Sequence, residues 1–277
     1  MQKPFFSIIM VSLNPGEELK KTLDSVLDQS IQDYEVIIKD GGSMDGSLSF
    51  IKKEEERFLR VRVYEQRDKS IYDAMNQALV YAQGRYLLFL NCGDYLYDSY
   101  VLEKVKKEIL TYEEKGKQGI PLIFYGNLYN RRQKTFISSS PEMTDFTLYR
   151  NVPCHQVCFY EKSLFHQRAY DLTYRVRADY EHFLYCIKEK QAKAVAISLP
   201  VASYEGGGFS ETEDNKRISA GEHQEITLKY LGRAKCRKYR LLLLVTLAPV
   251  RTMIAENPKL STAYNGLKSM IYQLIKG

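Results

Sequence analysis

The sequence predicts an α/β fold: a mainly parallel sheet with helices on both faces, followed by a helical C-terminal extension. Three observations carry that prediction. Strand-like and helix-like segments alternate through the first hundred residues. The strands are unbroken apolar runs, as in sheets covered on both faces. Polar residues gather at their carboxyl ends, where such sheets bind ligands.

"FFSIIMVSL" (5–13) is the first strand. Asn14 with Pro15 reads as a helix N-cap followed by proline in the first helical position, and Leu19, Leu23, Val26 and Leu27 supply the helical stripe. "YEVIIK" (34–39) is the second strand, with a second helix from Ser47 to about Glu56, and "VRVYEQ" is the third. Ser70 and Asp73 form a capping-box-like start to a helix that puts Ala74, Met75, Ala78, Leu79 and Ala82 on one face and ends at Gly84. "YLLFLN" is the fourth strand. "PLIFYG", "HQVCFY" and "KAVAISLPVASY" read as further strands, and "ADYEHFLYCIKEK" as a helix beginning at Asp179. After the glycine turn "EGGGFSE" the chain is predominantly helical.

The 277 residues are 44% hydrophobic and 27% charged, which suits a full core and excludes a disordered chain. The net charge of +6 is uneven: from Lys229 onward ten Lys or Arg face one acid, Glu256, leaving −3 for residues 1–228. Five cysteines form no CxxC pair, and the N-terminus lacks the apolar segment of a signal peptide, so reduced thiols in a cytoplasmic protein are expected. The apolar run "LLLLVTLAPV" (241–250) is too short to span a bilayer. No GxGxxG follows the first strand, which disfavours a dinucleotide-dependent dehydrogenase.

The strand ends present Asn14, Asp40, Glu65 with Asp68, and Asn91 with Asp94. The turn "KDGGSMDGS" offers acids where a phosphate-binding loop would offer N–H groups and a lysine. Each acid alone is ordinary turn chemistry. Together they are electrostatically wrong for a phosphorylated ligand unless a hard divalent ion intervenes, held by a carboxylate and diphosphate oxygens. Asp40 would then accept a hydrogen bond from a base or a ribose.

In content and order, "SIIMVSLN", "KDGGSMDGS", "EQRDKSIYDAMNQAL", "GRYLLFLNCGD", "HQVCFY" and "RADYEHFLYCI" resemble the family 2 glycosyltransferases, over about residues 5–210. The resemblance is strongest to bacterial enzymes that build capsule, exopolysaccharide or O-antigen. It implies the Rossmann-like GT-A fold, with a nucleotide-sugar-binding part at about 1–98, an acceptor part at about 99–210 and the extension at 211–277. It implies inverting transfer from a nucleotide sugar, expected to be a UDP-sugar, to a saccharide acceptor linked to polyprenyl diphosphate, aided by Mn²⁺ or Mg²⁺. Asp40 matches the acid that contacts the nucleoside, and Asp45 a turn or capping residue. Asp68 and Lys69 face the donor and its phosphates. Asp94 matches the last acid of the metal motif, thinned here to Asn91-Cys92-Gly93-Asp94. Asp179 matches the general base; helix capping is its competing role. His155 lies near acceptor or diphosphate, or is structural. Glu181 and His182 are surface or packing residues.

Leu260, Tyr264, Leu267, Met270, Ile271, Leu274 and Ile275 form one helical stripe edged by Lys268 and Lys276. This basic, apolar tail suits packing on the catalytic domain, a dimer interface, or docking on the anionic inner face of the cytoplasmic membrane. Nucleic acid is not an expected partner, because no groove-binding motif positions those charges. A sugar nucleotidyltransferase and a non-catalytic nucleotide-sugar-binding protein are the rival readings.

Overall fold

The structure, a computed structural model, describes residues 3–53, 59–116, 119–206 and 212–245. The chain forms two compact units, 1–226 and 227–277. The apolar stripe at 260–275 lies outside the described residues.

The first half follows the alternating pattern: β1 (Phe6–Ser12), α1 (Glu17–Leu27), β2 (Tyr34–Asp40), α2 (Ser49–Lys53), β3 (Val61–Glu65), α3 (Ile71–Leu79) and β4 (Tyr86–Phe89). Every residue of β1, β2 and β4 is buried, as expected for strands covered on both faces. β1 pairs in parallel with β2 and β4, and β2 with β3, so their carboxyl ends share one rim.

The second half comprises β5 (Tyr95–Leu96), α4 (Val101–Glu114), β6 (Leu122–Asn130), β7 (Thr135–Ile137), α5 (Asp145–Arg150), β8 (Cys158–Glu161), α6 (Ser163–His166), α7 (Ala178–Lys188), β9 (Lys193–Tyr204) and α8 (Glu213–Val245). These strands extend the sheet in the order β3-β2-β1-β4-β8-β6-β9-β5, with β7 on β6. β8 runs antiparallel to both β4 and β6, so the sheet is mixed. The fold class is the expected α/β one, but the second half is not mainly parallel, because direction in short apolar strands leaves no mark in composition.

Several local expectations change. Asn14 is not the α1 N-cap: Gly16 holds that place, and Asn14 sits in the left-handed region (φ 48°) as part of a turn. Thr22 and Tyr72 are buried on their helices, whereas Leu27 and Leu79 are only half-buried. α3 ends at Leu79, and Gly84 serves another purpose: a Cβ there would lie 2.4 Å from the Ser7 backbone nitrogen. Only glycine allows that approach. In "HQVCFY" the first three residues form a 3-10 turn and the strand starts at Cys158. Ser70 does cap α3, accepting from Asp73 N at 3.2 Å.

Two buried groups behind the rim are packing residues. Glu181 is fully buried and paired with Arg168. His182 stacks on Phe165 at 4.2 Å, and burial with the Arg168 charge lowers its pKa to about 3, so it is neutral. In α8, Gly232 (φ 78°, ψ 160°) interrupts the helix. Among the described residues no helix is long and apolar enough to cross a membrane.

Candidate active site

β2 delivers Asp40 to the rim, where it is fully buried. Its Oδ2 accepts from Ser12 Oγ (2.8 Å) and Ser43 Oγ (2.6 Å), and its Oδ1 from Gly42 N (2.8 Å) and Ser43 N (2.6 Å). Burial would raise its pKa, but the Ser43, Ser12 and Gly42 bonds outweigh it and hold the carboxyl below its ordinary value. Four bonds exhaust a carboxylate's acceptor positions. In this arrangement Asp40 shapes the loop, and a direct contact with a nucleoside would replace one of the two serine hydroxyl bonds.

The loop is also tied to the end of β1. Asn14 N donates to Ser43 Oγ (2.7 Å), Asn14 Oδ1 accepts from Met44 N (2.9 Å), and Asp45 accepts from Gly16 N (2.8 Å) and Ser47 N (3.0 Å). Asp45 is thus a turn residue, as the resemblance implies.

Lys39 heads the motif "KDGGSMDGS", which gave it no role. It is buried within β2, and its Nζ binds both Gln66 O and the Asp68 carboxylate. Its only sequence signal is a charge inside an apolar strand. The pair fixes Asp68 beside Gly41, whose missing side chain leaves room: a Cβ there would lie 2.8 Å from Asp68 Oδ2. Lys69 is exposed at the head of α3, its backbone N–H donating to Asp73.

After β4, the Asn91–Asp94 turn closes through Asp94 N donating to Asn91 O (3.0 Å). Gly93 supplies the left-handed residue (φ 92°), and its peptide is held by Thr22 Oγ1 (2.9 Å) and Arg131 Nη2 (2.8 Å). Asp94 accepts from Gln156 Nε2 (3.1 Å). Burial raises its pKa to about 6, although His155, Arg131 and Gln156 pull it back.

Beside it lies a chain of four side chains from α3, α7, the 155–157 turn and the loop after β4. Tyr72 OH is 2.8 Å from Asp179 Oδ1, Asp179 Oδ2 is 3.0 Å from His155 Nδ1, and His155 Nε2 is 3.0 Å from Asn91 Nδ2. Burial disfavours both charges, but each favours the other more: the Asp179 pKa is lowered and the His155 pKa raised. Asn91 Oδ1 is buried without a partner. With His155 doubly protonated, the other amide orientation brings that oxygen to Nε2–H and satisfies both groups.

The N-cap of α7 is Arg177, so Asp179 lies inside the helix and does not cap it. Glu222 of α8 anchors the residues before α7, accepting from the backbone N–H groups of Arg175, Val176 and Arg177 at 2.6, 3.0 and 2.8 Å. Arg131 and Glu222 lie outside every motif, while Tyr72 and Gln156 lie inside motifs that gave them no role.

The donor set is informative about a metal. Among the described residues no three His, Cys, Asp or Glu side chains gather to hold one. Asp94 is a single carboxylate that burial leaves poorly compensated, and the neighbouring amide oxygen of Gln156 is buried without a partner. Hard oxygens suit Mg²⁺ or Mn²⁺ completed by ligand oxygens and water, so the residues fit such an ion.

A parallel half-sheet with acids at its rim is joined to a mixed half, and the Asp179–His155 pair lies beside the junction, the arrangement that the resemblance to GT-A glycosyltransferases implies. Comparison places the chain further. The profile of "Glycosyl transferase family 2" matches residues 7–171. A "PGL/p-HBAD biosynthesis glycosyltransferase" of Mycobacterium bovis is 33% identical over 224 residues, covering 79% of this chain and 84% of that one. The chain belongs to glycosyltransferase family 2. The fold is similar to S. aureus TarS 1-349 in complex with UDP (TM-score 0.61, 16% identity, 82% of this chain and 70% of that one). Of a longer TarS chain it spans 42%. It is also similar to the mannosyltransferase PcManGT of Pyrobaculum calidifontis in complex with GDP-Man and Mn²⁺ (TM-score 0.57, 12% identity, 100% and 87%).

Proposed function

We propose that the protein transfers a sugar, with inversion, from a UDP-sugar to a saccharide acceptor carried on polyprenyl diphosphate, in bacterial surface polysaccharide synthesis. The observation that carries the reading is the Asp179 carboxylate, kept ionised by His155 and Tyr72 beside the Asp94 turn. A sugar hydroxyl is a weak nucleophile. Asp179 takes its proton as the new bond to the anomeric carbon forms, while the nucleoside diphosphate departs from the opposite face. One in-line displacement inverts the configuration.

The other residues bind and orient. Asp40 acts on the nucleoside indirectly, by holding the 41–43 loop against which a base would rest. Asn14 ties that loop to β1, Asp68 presents its carboxylate beside Gly41, and Lys69 reaches the phosphates from the head of α3. His155 fixes Asp179 and faces the diphosphate with Asn91. A divalent ion held by Asp94 would neutralise the charge of the leaving diphosphate. Residues 1–98 form the donor half, 99–210 the acceptor half, and 211–277 the C-terminal extension, which begins with α8.

The extension supports docking on an anionic membrane, where a lipid-linked acceptor would lie. Arg233, Lys235, Arg237, Lys238 and Arg240 are exposed, and Leu241, Leu244 and Val245 follow them at the surface. Each basic residue near such a surface contributes about 1 kcal/mol. Cytoplasmic localisation follows from the same reading, and dimerisation through this tail is its competitor.

A thermal-shift panel of UDP-, GDP- and dTDP-sugars with and without Mn²⁺, followed by measurement of sugar transfer to the lipid fraction of bacterial membranes, tests the proposal. Stabilisation by a UDP-sugar and labelling of lipid are expected. Stabilisation by none of the panel, or turnover with retention of configuration, would overturn it.

A further inference from the structure

The strand that leaves the Asp94 turn carries an aromatic surface with no role in the constellation above. Tyr97, Tyr129 and Phe136 come from β5, β6 and β7, or the residue just after, yet their ring centroids lie within 5.0–5.7 Å of one another. The strand register explains the meeting. Tyr95 pairs with Ser203, Ser203 with Tyr129 and Tyr129 with Phe136, so this row shares one face. Tyr97, two residues beyond Tyr95, shares it too.

These rings are not core. Phe136 is 56% exposed and Tyr97 37%, an uncommon fate for clustered aromatics. The face also leads back to the rim. Arg131, two residues beyond Tyr129, lies 4.0 Å over the Tyr95 ring and donates to Gly93 O, one residue from Asp94. The strip therefore runs continuously from the turn that bears Asp94 to the open rings.

We propose that Tyr97, Tyr129 and Phe136 form a stacking platform for the acceptor saccharide, holding the sugar units behind the one that reacts. This rests on the transferase reading. The chemistry selects the occupant: a pyranose offers a C–H face to an aromatic ring and hydroxyls around its rim, while tyrosine and arginine supply apolar faces with polar edges. A lipid chain would gain nothing from those edges. Tyr97 follows the Asp94 turn by three residues, so an oligosaccharide that reaches over the Arg131–Tyr95 contact meets these rings.

The chain contains no tryptophan, so Phe136→Trp creates a single fluorescent reporter on the platform. It is titrated with cellotetraose, maltotetraose and chitotetraose, with glycerol as control, and again with Tyr97→Ala added. Expected are a saturable emission shift with at least one tetrasaccharide, none with glycerol, and affinity about tenfold weaker in the double variant, with UDP binding by calorimetry unchanged throughout. No response to any tetrasaccharide at millimolar concentration, or equal affinity in the double variant, overturns the platform. So does a parent that sediments as a dimer and a Phe136→Asp variant that is monomeric, which would assign the face to a second copy. Failure of UDP to bind the parent would instead strike the transferase reading, leaving the stacking result to be judged by itself.

Discussion

Replacing Asp179 by Asn tests the mechanism most directly, because the structure separates what is lost from what is kept. Asn retains one oxygen, which can still accept from Tyr72 or from His155, but it cannot take a proton and cannot pair with an imidazolium. The lost charge-assisted bond to His155 would cost about 1.5–3 kcal/mol, and relief of the buried carboxylate's desolvation offsets part of it. A net loss near 1 kcal/mol corresponds to a melting point lower by about 2–4 °C. The rate tells another story: removing a general base typically costs about 10²- to 10⁴-fold. Calorimetry with UDP should therefore report near-parental affinity while transfer collapses. Transfer within a few-fold of the parent, at equal donor binding, would place the base elsewhere.

Four further outcomes are expected. His155→Gln should lower the melting point more at about pH 6 than at about pH 9: the raised His155 pKa stabilises the fold fully below the unfolded value and ceases to do so as pH rises through the folded one. A pH-independent penalty would argue against the ion pair. Asp94→Ala should abolish Mn²⁺-dependent UDP binding in calorimetry and Asn91→Ala only weaken it; binding unchanged in the Asp94 variant defeats the metal assignment. Asp40→Ala leaves Ser12, Gly42 and Ser43 donors without their acceptor and should cost about 3 kcal/mol or more in chemical denaturation, together with donor affinity. A variant of parental stability that binds UDP poorly would restore Asp40 to direct nucleoside contact. Removal of residues from 232 onward should leave a folded protein that no longer sediments with anionic vesicles at low salt, and a full-length protein that ignores such vesicles would rule out the membrane reading.

Much of the fold was legible because it depends on local periodicity. The buried runs of β1, β2 and β4, the Ser70 cap and the β9 boundaries all follow from neighbours in the chain. Turn details were less so. Asn14 and Pro15 carry the composition of a helix start, yet contacts with Ser43 and Met44, about thirty residues away, draw Asn14 into another turn.

The acids were visible by their positions at strand ends, and their roles were not, since a carboxylate's chemistry depends on what surrounds it. Asp40, Asp94 and Asp179 look alike in the chain. Folding gives the first four donors and no free acceptor, leaves the second short of positive charge, and sets the third between Tyr72 and His155. Those partners are 107 and 24 residues distant in sequence. Apolar patterning positions the backbone to within a strand or a helix turn. Hydrogen bonds demand placement to a few tenths of an ångström, and only the packed sheet, with α3 and α7 brought together beside it, supplies that.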